Sequence, residues 1–213
     1  MFAIYASYRG RSRRRADYVR DVADALANSS VVADLEPLGV EDFLCLTEGP
    51  DATGAVVLSL LQAGDFAMGI GAVVDDPAQE SDADPEDIDA EQSRQELLSA
   101  ARRAVSPRHR AGHIGVRIEL SGPGGVLAPG AAALVSEDIA ASFTLLAHVL
   151  ARRTEEGREA TALLRAGHLQ SEAAEIVGIS KQAMSQRLSA AGWQAEQAGW
   201  NLAVHMLARV DEI

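Results

Sequence analysis

The segment from residue 172 to residue 188, EAAEIVGISKQAMSQRL, constrains the fold more than any other part of this chain. Its positions suit two short helices joined by a tight turn. Ser171 is expected to cap the first helix and Ser180 the second, because serine side chains accept hydrogen bonds from the free N–H groups of a helix start. Gly178 lies between them, where the turn needs a left-handed backbone that glycine adopts without strain. The pattern predicts a helix-turn-helix.

The second helix of this pair is expected to have one buried and one exposed face. Ala183, Met184 and Leu188 recur at helical spacing, which predicts that they pack inward. The opposite face is short, polar and free of acidic residues. It carries Lys181, Gln182, Ser185, Gln186 and Ser189. The DNA major groove favours such a face, because it offers donors and acceptors to base edges and a cation to phosphates.

We therefore predict a transcriptional regulator that binds double-stranded DNA sequence-specifically. The predicted contacts are Ser171, Ser180, Lys181, Gln182, Ser185, Gln186 and Arg187. Ser180 and Arg187 are expected to contact phosphates. The base-reading set is Lys181, Gln182, Ser185 and Gln186. Two alternatives stay open, a purely structural helix pair and one that binds a protein partner. The segment resembles the sigma-region-4-like helix-turn-helix of many bacterial regulators.

The composition is that of a globular protein in a reducing compartment. The 213 residues, 47% of them hydrophobic, suffice for one large domain or two small ones. The single cysteine, Cys45, excludes an intrachain disulfide and fits the cytosol. No segment resembles a signal peptide, and no apolar run approaches the roughly 20 residues of a membrane span. We expect a cytoplasmic, nucleoid-associated protein with no membrane partner.

The charge is unevenly distributed along the chain. The formal net charge is −12, which by itself disfavours nucleic acid, but residues 151–213 hold seven basic and eight acidic side chains. Much of the remaining acid lies in Asp75–Ala90, which is predicted to be a mobile, exposed loop because it lacks an apolar period. The DNA-binding part is thus nearly neutral, and its nonspecific affinity is expected to be weak and salt-dependent.

Upstream of residue 125 the pattern alternates between strands and helices, in the order β-α-β-β-α-β-α-β, and only helices follow. The predicted strands are 2–6, 31–38, 43–47, 66–74 and 113–120. This order predicts an α+β fold, with a ferredoxin-like or palm-type sheet whose helices pack on one face, followed by an all-α C-terminal helix-turn-helix domain. The predicted domains are 1–128 for the sheet, 129–157 for a connecting helix that begins at Ser136, and 158–213 for the helix-turn-helix.

Three short segments carry a family resemblance. They are the opening strand with its basic loop, the hairpin Pro37–Phe43, and the glycine-containing strand Met68-Gly69-Ile70-Gly71. Together they resemble the SatD-like bacterial proteins. The resemblance implies a nucleotide-cyclase-type palm fold with a trailing helix-turn-helix. In that family the opening strand usually ends in Gly-Asp, and the hairpin holds a turn similar to Gly-Asp-Glu-Phe.

The departures from that pattern concern catalysis. Palm-type cyclases hold two divalent metals with carboxylates at the end of the first strand and at the hairpin. Here the first strand ends in Ala6-Ser7-Tyr8-Arg9, without an acid, while the hairpin keeps Glu41 and Asp42. One carboxylate cluster does not make a two-metal site, so we predict a non-catalytic palm without metal or cofactor, in which the two acids are turn residues or face a pocket. A nucleotide-using palm enzyme with an appended DNA module is the alternative.

The arginine-rich loop after the first strand is the second basic feature. Its candidate phosphate contacts are Arg11, Arg13, Arg14 and Arg15. They either form a solvated loop or contact phosphates, in flanking DNA or in a nucleotide ligand of the sheet domain. That domain is expected to sense a small molecule or nucleotide, or to mediate assembly.

The final helix carries large apolar residues at seven-residue spacing. Trp193, Trp200 and Leu207 are candidates for a dimer seam, with ordinary core packing as the alternative. A homodimer is expected because one helix-turn-helix buries a modest area on DNA, and two copies on a two-fold site raise the affinity.

Overall fold

The computed structural model describes residues 1–75, 90–122 and 124–213. Most of the segment predicted to be a mobile acidic loop, residues 76–89, lies outside the described residues. The elements in chain order are β1 (Phe2–Tyr8), α1 (Arg15–Ala27), β2 (Asp34–Leu38), β3 (Asp42–Thr47), α2 (Gly49–Ala63), β4 (Phe66–Val74), α3 (Ala90–Arg103), β5 (Ile114–Leu120), α4 (Ala131–Ala151), α5 (Glu155–Arg165), α6 (Gln170–Val177), α7 (Lys181–Ala190) and α8 (Trp193–Ala208), followed by a 3-10 turn at Arg209–Glu212.

The five strands form one mixed sheet in the order β2-β3-β1-β4-β5. The first four strands are antiparallel to their neighbours, and β5 runs parallel to β4 after the crossover through α3. In the central register Ile4 lies opposite Cys45 on one side and Ile70 on the other. The predicted α+β class is confirmed, with helices following the sheet as expected.

One face of the sheet carries the main core. Alternate residues of β1 point to it, because side chains of a strand alternate between faces, and α1, α2, α4 and α8 cover it. Phe66 lies at its centre, with its ring 5.8 Å from the rings of Tyr8 and Phe43 and 6.2 Å from that of Tyr18. Burial of these aromatic side chains contributes to the hydrophobic stabilisation of the sheet and the helices on this face.

The opposite face of the sheet is covered by α3, so the prediction of helices on one face only is wrong. Leu97, Leu98 and Ala101 of α3 pack there on β1 and β3. The helix lies close because glycines occupy the strands beneath it. A Cβ at Gly69 would overlap the carbonyl oxygen of Ala101 in α3, and one at Gly115 would overlap that of Ala104, which directly follows α3. The glycines of β4 are therefore a packing feature that lets a helix backbone rest directly on the sheet.

The predicted connecting helix belongs to the core of the sheet unit. α4 begins five residues before Ser136, whose hydroxyl donates back to the carbonyl of Ala132. Phe143 and Leu146 of α4 are fully buried against the sheet, together with Leu207 of α8. The helix ends at Ala151, and α5 begins only four residues later. The segment 129–157 is thus a core helix plus the start of α5.

α4 also corrects the prediction that no apolar segment reaches the length of a membrane span. Among the described residues it is the one helix that is long and apolar enough to cross a bilayer, by length and composition only. The core helix of a globular protein meets the same two conditions. Its inward residues pack on the sheet, while Leu134 and Leu145 lie exposed on its outer side.

Candidate nucleic-acid interface

The turn between α6 and α7 has the predicted geometry. Gly178 adopts a left-handed conformation with φ of 76°, and Ser180 accepts a hydrogen bond on Oγ from the Ala183 N–H at 3.1 Å. Ile179 packs, half-buried, against the small core of this helical unit. The glycine turn and the second N-cap are therefore confirmed.

The predicted cap of the first helix is wrong. Leu169 occupies the N-cap position, and its N–H donates to Oε2 of Glu172 at 2.8 Å. Ser171 lies inside the first turn of α6 and is half-buried. The longer glutamate side chain reaches back to the free N–H group, so the helix begins one residue before Ser171.

A third helix, α5, completes the unit. It is capped by Thr154, whose Oγ1 accepts from the Gly157 N–H at 3.2 Å, and it begins at Glu155. The buried core shared by the three helices consists of Ala160, Ala173, Ala174, Met184 and Leu188. Met184 and Leu188 lie on the inward face of α7, as the sequence predicts.

The outward face of α7 is exposed and uncommitted. Its side chains are Lys181, Gln182, Ser185, Gln186 and Ser189, all of them exposed. Within the part of the chain that the structure describes, none of these side chains has a hydrogen-bond or ion-pair partner. The first turn of α7 contains no acid, so the positive end of the helix dipole is not neutralised there. Such a face binds an external partner without breaking an internal bond.

The two predicted phosphate contacts differ in availability. Ser180 uses one lone pair of Oγ in the cap, which leaves its hydroxyl hydrogen free to donate. Arg187 is half-buried, and its Nη1 lies 3.4 Å from Oε2 of Glu159 on α5. The glutamate side of this pair is largely exposed, and pairs of that kind contribute little to stability. Arg187 can therefore exchange Glu159 for a phosphate at small cost.

The arginine-rich loop joins a second basic loop. Arg11, Arg13 and Arg14 are exposed, and their guanidinium groups have no partner among the described residues. Arg15 instead pairs with Oε1 of Glu41 at 2.6 Å. Arg9 donates from Nε to the carbonyl of His109 at 3.1 Å, which places the loop beside exposed Arg108 and Arg110. This contact joins two sequence-distant basic loops. We call their exposed arginines the basic rim; they are Arg11, Arg13, Arg14, Arg108 and Arg110.

The hairpin acid Asp42 is fully engaged by the first strand. Tyr5 donates its hydroxyl to Oδ2 at 2.7 Å, and Ser7 donates to Oδ1 at 2.6 Å. Burial and the bond to Asp42 raise the pKa of Tyr5, which therefore keeps the proton it donates. Ser7 is the last residue but one of β1. Among the described residues no three His, Cys, Asp or Glu side chains converge.

The predicted dimer seam is corrected by the packing of α8. Leu207 is fully buried in the core of its own chain and cannot contact a second copy there. The Trp200 ring packs on α2, where a Cβ added to Gly54 would lie 3.0 Å from it. Trp193 is half-buried against the helix-turn-helix core, 5.8 Å below the guanidinium of Arg165. The stripe therefore joins α8 to two parts of the same chain.

A buried ion cluster beside Trp193 escaped the sequence analysis. Glu196 of α8 is fully buried and binds two arginines, Arg153 and Arg165. The Arg165 Nε donates to Oε1 at 2.8 Å and Nη2 to Oε2 at 3.0 Å, a two-pronged arrangement. The signal in the sequence was an acid on the same helical face as Trp193 and Trp200. It could have indicated a buried carboxylate, although not its partners.

Comparison with known proteins found no matching family model, no similar curated protein and no similar solved structure.

Proposed function

We propose that this protein is a transcriptional regulator that binds double-stranded DNA sequence-specifically, with α7 in the major groove. One observation carries the proposal. The polar face of α7 is exposed and uncommitted, while Met184 and Leu188 anchor the other face. Recognition helices place such side chains on base edges, and glutamine forms paired hydrogen bonds with adenine there. We propose that Gln182 and Gln186 read bases in this way.

Phosphate contacts come from a few local cations in an otherwise acidic protein. Lys181 is the only lysine of the chain and stands at the first position of α7. Ser180 and Arg187 flank the same groove-facing surface. The basic rim offers further guanidinium groups for flanking DNA. Because the number of neutralised phosphates sets the salt dependence, and few are neutralised here, nonspecific affinity is expected to be low and to fall along a shallow slope as salt rises.

We further propose that the sheet unit is a palm-type domain that senses a ligand or mediates assembly and does not catalyse. The antiparallel order β2-β3-β1-β4 supports a ferredoxin-like, palm-type arrangement, in keeping with the SatD-like resemblance. Ser7 at the end of β1, and the engagement of both Asp42 oxygens, support the absence of turnover. Such a regulator acts in the cytoplasm, on the nucleoid.

A homodimer on a two-fold site remains part of the proposal, without Trp193, Trp200 or Leu207 as its seam. One helix-turn-helix buries a modest area, and two of them roughly one helical turn apart give the affinity that a regulator needs. Sedimentation of the protein on a selected duplex measures the stoichiometry. Two chains on each duplex are expected, and one chain would refute the dimer.

Selection of binding sites from a random duplex pool tests the DNA proposal. The wild-type protein is expected to enrich a defined motif, and Lys181→Ala/Gln186→Ala to enrich none, because the double variant loses a phosphate contact and a base contact. The matched control is Gln194→Ala/Gln197→Ala, which removes two exposed side chains from α8. No enrichment by the folded wild-type protein would refute DNA binding and favour a helix-turn-helix that binds a protein partner.

A further inference from the structure

A cleft of about 500 Å³ separates the sheet unit from the helix-turn-helix unit. Its walls are the end of α2, the loop before β5, the end of α4 and one side of α5. Leu61, Ala147 and Leu150 form its apolar part. The volume lies within the range of small-molecule sites, which occur preferentially between structural units.

The polar lining of this cleft is strongly cationic. Among the described residues, three guanidinium groups border it, those of Arg153, Arg158 and Arg165, and no carboxylate does. Glu196 lies behind the wall and binds Arg153 and Arg165. Three cations therefore face a single buried carboxylate, and Arg158 has no ion-pair partner among the described residues. The excess positive charge points to an anionic ligand.

Arg153 makes the cationic wall costly in the absence of a ligand. Its side chain is only 2% exposed. Nε donates to the Ala191 carbonyl at 2.7 Å, and Nη2 lies 2.5 Å from Oε2 of Glu196. Burial lowers the pKa of Arg153, and the nearby Arg165 and Arg158 lower it further against the opposing effect of Glu196. A ligand oxyanion in the cleft would offset the repulsion among these three guanidinium groups.

We propose that this cleft binds a small organic anion, with a phosphate or carboxylate head on the arginine cluster and a compact apolar body on Leu61, Ala147 and Leu150. Arg158 and Arg165 supply the planar donors that such heads prefer. α5 packs on α6 and α7 and forms one wall of the cleft, so the ligand bridges the helix-turn-helix unit to the sheet unit. That the ligand is an effector of DNA binding rests on the proposed function.

Calorimetry in the absence of DNA tests the site itself. The probes are phenyl phosphate and benzoate, with uncharged benzyl alcohol as the reference and sodium chloride at equal ionic strength. At least one anion is expected to bind more tightly than benzyl alcohol, and the tighter one identifies the head group. Arg158→Gln should weaken it about tenfold, the loss of one charge-assisted hydrogen bond. The matched control, Arg152→Gln, removes an exposed arginine that does not line the cleft.

Equal binding of the anions and benzyl alcohol, or equal weakening in both variants, would overturn the proposed site. The effector role has a separate readout, the midpoint of DNA retardation with and without the better anion. A shifted midpoint supports that role, and an unchanged midpoint on DNA that binds would refute it. Because the calorimetry contains no DNA, a failure of the proposed DNA binding does not change its result.

Discussion

Glu196 joins α8 to Arg153, before α5, and to Arg165, at the end of α5. It is fully buried and offsets the charge of two arginines, one of which, Arg153, is itself buried. Removing one partner of a buried pair leaves the other charge uncompensated, and this loss commonly costs about 3–5 kcal/mol. The neutral isostere glutamine keeps the volume and removes the charge.

We predict that Glu196→Gln lowers the free energy of unfolding by roughly that amount, measured by urea denaturation. Glu175→Gln is the matched control, because Glu175 is exposed on α6, and surface changes usually stay within about 0.5 kcal/mol. Equal stability of the two variants would show that Glu196 does not compensate the arginine pair.

His113 gives the fold a pH dependence. Its ring centroid lies 3.6 Å from that of His109, and burial, with the neighbouring imidazole, lowers the pKa of His113 below 6.5. The unfolded chain therefore binds the proton before the native state does. Stability is full above the unfolded pKa and declines as the pH falls through that value toward the native pKa.

We predict that His113→Gln reduces the loss of stability at low pH. The measurement is the urea midpoint of unfolding between about pH 8 and pH 5. His148→Gln, which changes an exposed histidine of α4, should keep the wild-type decline. A His113→Gln protein whose stability declines with pH as the wild type does would contradict the assigned burial of His113.

At the scale of elements, the docking of α3 depends on glycine. A Cβ at Gly71 would overlap the Ala101 backbone nitrogen and lie 2.7 Å from the Leu97 carbonyl oxygen. Backbone atoms of a helix do not yield as a flexible side chain does. Overpacking at such a contact typically costs about 1–3 kcal/mol.

We predict that Gly71→Ala lowers the free energy of unfolding by at least about 1–3 kcal/mol. It should also increase amide hydrogen exchange in α3 and β4. The amides of α7 form the internal control, because they lie in the separate helix-turn-helix core. Unchanged exchange in α3 would mean that the helix does not rest on the glycines of the sheet.

The sequence predicts elements well where the determining interactions are local. Gly178 and Ser180 act within their own turn, and the two faces of α7 follow from periodicity. The Ser171 cap fails because the helix begins earlier: Glu172 accepts the N–H of Leu169, the N-cap residue, which places Ser171 inside the first turn. The packing of α3 on the opposite face of the sheet was not predicted, because Gly69 and Gly71 do not by themselves reveal which helix approaches them.

At the scale of the whole molecule, α8 joins the two units. Trp193 at its start packs in the helix-turn-helix core, and Leu207 near its end packs in the core under the sheet. Seven-residue spacing predicts a buried stripe but cannot distinguish a second chain from the rest of the same chain. The cleft was unpredictable for a related reason, since its arginines meet Glu196 only through long-range packing.

This organisation places the cationic cleft between the sheet unit and α5 of the helix-turn-helix unit. A ligand there would contact α5 together with the ends of α2 and α4. A ligand that holds α5 in one position also holds α7, because both helices share the core around Ala160 and Met184. Regulation of DNA binding through the cleft needs only a small change in the orientation of this unit.

Fluorescence anisotropy on a selected duplex and on its scrambled counterpart tests the DNA-reading role of α7 most directly. Gln186→Ala is expected to reduce the discrimination between the two by about 1–3 kcal/mol, because it removes a base contact. Lys181→Ala should weaken both complexes and reduce the salt slope by about one, as the loss of one phosphate contact predicts. DNA reading by α7 would be contradicted if Gln186→Ala kept the wild-type discrimination and Lys181→Ala kept the wild-type salt slope.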